Sequence, residues 1–189
     1  MTNQFRLAGT LLSIGGLLYL LSFGPEAFGL VTLEREGQVV NLPLSIFFVS
    51  LGVVAAVLLV IGLWRIRKSI LTERRIARVG LYLCITSVAC IGLTAAGTIV
   101  AQVQSGRSAD IFFIFLLLGF PLSIIGSLLL GVGVRHVRWL GWGRLFPFTV
   151  AGGTVLAFMD VNPVHDIGLT ILALSWAAFG VSMLLRKPQ

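Results

Sequence analysis

Apolar and polar positions along this chain are not interleaved but sorted into long uncharged runs separated by short polar joints. Residues 7–23, 42–64, 79–103, 111–134 and 167–185 contain no Asp, Glu, Lys or Arg. A bilayer's hydrocarbon is roughly 30 Å thick, and a helix needs about 20 apolar residues to cross it. Membrane barrels use alternating strands of about ten residues instead. A sixth run, 145–159, is shorter. It is expected to lengthen backwards through Trp139 and Trp142, with Arg144 reaching out to the surface. The pattern predicts an all-α membrane protein: one polytopic domain over residues 1–189, built as a bundle of six transmembrane helices. A basic residue precedes the first run, as in a secretory leader. The run is long, however, and Ser22-Phe23-Gly24-Pro25-Glu26-Ala27 is a poor cleavage sequence. It is read as a retained helix.

Two joints are long enough to carry structure. In residues 24–41, the run Leu30-Val31-Thr32-Leu33 and the run Gln38-Val39-Val40 flank the polar turn Glu34-Arg35-Glu36-Gly37. β-prone runs around a glycine-containing turn predict a small outer β-hairpin. Residues 65–78 are the most basic stretch. They are expected to be helix ends extended past the apolar core, with Ile66, Ile70, Leu71 and Ile76 at the interface. Arg65, Arg67, Lys68, Arg74, Arg75 and Arg78 would contact anionic lipid.

Composition agrees with the pattern. Charged residues are 11% of the chain, against about a quarter in soluble domains, and the mean hydropathy is +1.02. The net charge of +7 changes the picture only through its distribution. With six crossings and the N-terminus inside, twelve of the Lys and Arg residues lie inside, and only Arg35 and Arg107 outside. Six of the seven acids lie outside, Glu73 being the exception. This is the positive-inside bias of short loops. It places both termini in the cytoplasm and the chain in the plasma membrane. It also removes nucleic acid as the reason for the basic excess.

Candidate chemistry is sparse. No ionisable group except cysteine lies in the middle of any run. Charge at membrane depth is costly and usually functional, so this pattern argues against proton-coupled pumps, voltage sensors and carboxylate-lined ion carriers. Mid-run hydroxyls such as Ser87, Thr94 and Thr98 are expected to bond back to their own helices. Cys84 and Cys90 read as small core residues. Capable groups cluster only at Asp160, His165 and Asp166, all metal-ligand types. The intervening Asn162-Pro163 marks a turn, and Asp166 is placed to cap the sixth helix. The expectation is therefore no metal, no cofactor and no catalytic residue. Phosphate-loop, dinucleotide, metalloprotease and serine-nucleophile patterns are missing.

Small residues recur at intervals of four, the spacing at which helices in lipid approach closely. The longest such stripe, Gly119, Ser123, Ser127 and Gly131, lies in the fourth run with Pro121 beside it. It is expected to pack a central helix. Trp64, Trp139 and Trp142 suit an aromatic belt at the inner boundary. Together these features predict a non-enzymatic accessory, assembly or scaffold subunit whose partners are the bilayer and other membrane subunits or itself. The alternative is a channel or carrier for a neutral or lipophilic solute.

Overall fold

The computed structural model describes residues 2–35, 38–71, 75–105, 113–135, 138–159, 161 and 163–185. Six α-helices form among them: α1 (Thr2–Ala27), α2 (Leu42–Leu71), α3 (Arg75–Ser105), α4 (Phe113–Val134), α5 (Phe146–Phe158) and α6 (Val164–Leu184). Five of them, all but α5, are long and apolar enough to cross a membrane. The first three outrun their apolar stretches. Nothing stops an i→i−4 ladder at the first charged side chain, and arginine is itself a good helix former.

Where helices stop, the cause is local. After α1, Gly29 adopts φ 67. The N–H of Leu30 reaches the carbonyl of Pro25, and the N–H of Gly29 reaches that of Glu26. This is the Schellman arrangement, which a residue with a Cβ enters only at a cost. At the other extreme α5 has 13 residues, about 20 Å. The expected backward extension through Trp142 does not form as α-helix. Residues Arg138–Leu145 are instead a 3-10 segment broken at Gly141, which has φ 52 and ψ −127. Pro147, in the first turn of α5, has no N–H to offer the carbonyl of Gly143, so carrying the α ladder back through it would forfeit a bond beside the break at Gly141.

The outer hairpin is also corrected. Leu30–Leu33 form no strand. Pairing is confined to a two-residue antiparallel ladder, β1 (Glu34–Arg35) with β2 (Gln38–Val39), Glu34 opposite Val39. Glu34 and Arg35, assigned above to the turn, therefore lie in the ladder with Gln38 and Val39 of the second run, and the Val40 N–H reaches the carbonyl of Leu33 beyond it. A ladder this short has no stability of its own.

Each helix packs against its neighbours in sequence, and α6 packs against α1, so the six close into a ring. Neighbours are antiparallel throughout. Gly9 of α1 lies against Gly180 of α6, and Gly62 of α2 against Leu12 of α1. Gly133 of α4 lies against Ala77 of α3, and Gly131 of α4 against Phe148 of α5. The chain thus traverses the bundle six times although α5 is short. The middle of the ring is filled by Tyr19, Leu59, Val88, Ile91, Leu172 and Trp176 around a cavity of about 20 Å³, room for about one water molecule.

Candidate functional site

The antiparallel ring sorts charge by end. One end gathers Arg6, Arg65, Arg67, Arg75, Arg78, Arg135 and Arg144 among the described side chains. The opposite end holds Glu26 and Asp166. At the basic end, the Arg67 guanidinium stacks over the Trp64 ring, 3.7 Å from its centroid. Trp64 in turn meets Tyr82 of α3 edge to face, with centroids 6.4 Å apart. Gln4, Trp64, Arg65 and Arg67 surround a hollow of about 210 Å³. A second hollow of about 330 Å³ lies between Gly141, Trp142, Arg144 and Leu145. Ile66, expected at the interface, is instead 1% exposed and belongs to the core, while Ile76 is on the surface. Arg74 lies outside the described residues, as do the side chains of Lys68, Ile70 and Leu71.

At the opposite end, the two described candidates for metal or catalytic chemistry, His165 and Asp166, have separate local surroundings. His165 is half-buried, and its Nδ1 meets the carbonyl of Ala157. Carbonyls of the last helical turn lack intrahelical partners, so Nδ1–H donates there and ties the end of α5 to the start of α6. Asp166 does not cap α6: the N-cap position is Pro163 and no side chain caps it. Asp166 lies within the first turn, where its charge meets the positive end of the helix. Asp160 lies outside the described residues. Among those described, no three His, Cys, Asp or Glu side chains come together in a metal-binding group.

The α4 stripe divides between two neighbours. Toward α3, the carbonyl of Gly119 accepts from Ser87 Oγ at 2.8 Å, and Ser127 Oγ lies 3.6 Å from Cys84 Sγ. Toward α5, Ser123 Oγ lies 3.0 Å from Thr154 Oγ1, and Gly131 lies under the Phe148 ring. Thr154 spends its proton on the carbonyl of Val150, so Ser123 is the donor of that pair. Steps of four advance the helix by about 400°, and the drift lets one stripe serve both sides. α4 runs unbroken through Pro121. Ser87 departs from expectation by crossing between helices, whereas Thr94 and Thr98 bond back along α3.

A second α4 pattern, Gly119, Gly126 and Gly133, escaped the interval-of-four reading because its interval is seven. Gly126 and Gly133 face the α3 backbone at Cys84, Gly80 and Ala77. Seven residues is the repeat of left-handed helix pairs, and that spacing was the available signal. Hydroxyls bridge three further interfaces: Ser13 donates to the Ala177 carbonyl at 3.3 Å, and those of Thr149 and Ser175 lie 2.7 Å apart. Ser45 donates to Oε1 of the buried Gln102 at 3.1 Å.

Fold and site together define the class, an α-helical bundle of the membrane-spanning kind. Comparison with family models, curated proteins and solved structures finds no match for the chain.

Proposed function

We propose that this chain is a multi-pass protein of the plasma membrane, with its basic end and both termini in the cytoplasm, acting as an accessory, assembly or scaffold subunit without enzymatic chemistry. One observation carries the reading. The helices form a closed ring whose centre is filled by large side chains, leaving a cavity for about one water, while the outward faces of the helices are apolar. Such a body offers surface to lipid and to other membrane helices, and among the described residues its centre is packed. The sixth crossing is assigned to α5, about 20 Å long, with the 3-10 segment at the basic-side boundary. Nucleic acid has no part in the reading, because the basic residues sit where lipid phosphates lie.

Mild cross-linking in native membranes, followed by purification and identification of attached chains, tests the role. A stoichiometric membrane partner or a defined self-assembly is expected, and a strictly lone chain would overturn it. The orientation is tested with single cysteines and an impermeant maleimide. Positions 35 and 107 should react from outside, and 68 and 187 only after the membrane is opened. Reaction of 187 from outside would mean an odd number of crossings.

The second reading, a carrier for a small neutral or lipophilic solute, draws on Tyr19, Ser123 and Trp176 lining the central cavity. It requires the ring to open, and flux of such a solute into liposomes bearing the protein would favour it.

A further inference from the structure

The segment Arg138–Leu145 closes the basic end between α4 and α5, and its hollow is left unused by both the packing of the bundle and the assembly role. Gly141 has φ 52 and ψ −127, a conformation that side chains with a Cβ rarely adopt. It redirects the chain, so that Gly141, Trp142, Arg144 and Leu145 surround about 330 Å³, within the size range of small-ligand pockets. Trp142 is 81% exposed, more than any other large apolar side chain among the described residues. An indole left this open at a bundle end suits the headgroup boundary of a bilayer, where its ring meets apolar matter and its N–H meets water.

Arg144 is anchored to the backbone. Its Nη1 donates to the carbonyl of Arg135 at 3.2 Å, just past the end of α4. A guanidinium carries five N–H groups in a rigid fork, so anchoring one presents the others at a set angle. By contrast Arg67 lies face-on against Trp64. Arg135 adds positive charge at the same turn, and residues 111–159 contain no Asp or Glu. Beyond Leu145, which is 49% exposed, the side of α5 continues outward through Phe148 and Val155, 37% and 44% exposed.

We infer that this hollow is a headgroup site for one acidic glycerophospholipid. Arg144 takes the phosphate as a fork matched to its oxygens. Trp142 lies at the glycerol level, and the acyl chains follow the apolar side of α5. The site rests on the reading that the basic end lies among lipid headgroups, and it adds to that reading a single, stoichiometric position.

Native mass spectrometry of the delipidated chain in detergent tests it, with titration by phosphatidylglycerol, by phosphatidylcholine of the same acyl chains, and by inorganic phosphate. One phosphatidylglycerol per chain is expected to bind about tenfold tighter than phosphatidylcholine, whose phosphate is the same but whose choline cation is repelled by the arginines at this turn, with no saturable binding of inorganic phosphate. Arg144→Gln should lower the first phosphatidylglycerol affinity about tenfold. Trp142→Ala should weaken both lipids alike, and Arg67→Gln should leave the first site within about twofold. Residues 142 and 144 are surface positions, so unchanged melting temperatures would show that the variants are folded. Equal losses from Arg144→Gln and Arg67→Gln would leave the basic end as a diffuse lipid contact and overturn this site alone. No preference for the acidic lipid in the wild type would overturn both. Inorganic phosphate binding as tightly as the lipid would make it a solute-anion site and overturn the lipid assignment.

Discussion

At the residue scale, glycines in this bundle differ by what stands opposite them. A Cβ built on Gly180 would fall 2.5 Å from the Gly9 carbonyl oxygen and the Ser13 nitrogen, whereas one on Gly152 meets nothing within 4 Å. Both lie inside helices, so alanine gains each up to about 1 kcal/mol of helix propensity. Melting in detergent should therefore find Gly152→Ala neutral or slightly stabilising. Gly180→Ala should lose about 1–3 kcal/mol, because backbone cannot yield as a flexible side chain does. Equal responses would mean that α1 and α6 do not approach as described. Ser127, 1% exposed between α3 and α4, gives a second test. Ser127→Leu should cost about 1–3 kcal/mol by overpacking, and Leu129→Ala serves as the control away from the stripe. Wild-type stability of Ser127→Leu would mean that this face of α4 is turned to lipid. That Ser123 and Ser127 are packing residues was legible in their spacing. That one faces α5 and the other α3 was not, because a stripe on one helix carries no label for its neighbour.

At the element scale, α5 decides the most. Its start is set by Gly141 and Pro147, and its end is held by His165. Replacing His165 with alanine leaves the Ala157 carbonyl without that donor, at a cost of about 1–2 kcal/mol. Thermal unfolding in detergent should show the loss, and His165→Gln, which keeps a side-chain N–H, should restore part of it. Full stability in His165→Ala would remove the capping role. The 3-10 segment makes a separate claim about depth. A cysteine at position 142 should react with an impermeant maleimide from the basic side, while one at 153, buried against Leu172, should not. Protection at 142 would mean that α5 continues backwards as first expected. Length and apolar composition revealed five of the helices. The sixth, expected over residues 145–159, forms over Phe146–Phe158, and only its backward extension fails, because hydropathy counts residues and does not register that a proline lacks an N–H or that a glycine turns to positive φ.

On the scale of the whole molecule, closure is the feature on which the assembly reading depends, because an open row of helices would leave two bundle edges and a wider interior. The meeting of α1 with α6 is measurable. A Cβ on Gly9 would lie 3.1 Å from the Cβ of Met183, close to the ~3.5–4.5 Å spanned in a disulfide. In a Cys84→Ala, Cys90→Ala background, Gly9→Cys with Met183→Cys should oxidise to an internal disulfide. After cleavage at a protease site inserted in the joint between α3 and α4, the two halves should stay joined until reduced. Separation without reductant would show that the ring is open at this seam.

What the amino-acid order determined by itself was whatever depends on one segment and its solvent: apolar runs too long for a soluble core, helices as the form that satisfies a backbone in lipid, and the gathering of arginine in alternate joints. What only the tertiary structure decided was whatever depends on two segments at once. Gly180 facing Gly9, Ser87 crossing to the Gly119 carbonyl, and the return of α6 to α1 join positions far apart in the chain. The small residues that permit these contacts also occur where no helix approaches, as Gly152 does. Permission to pack is written locally, and the choice of partner is made only when all six helices compete for the same space.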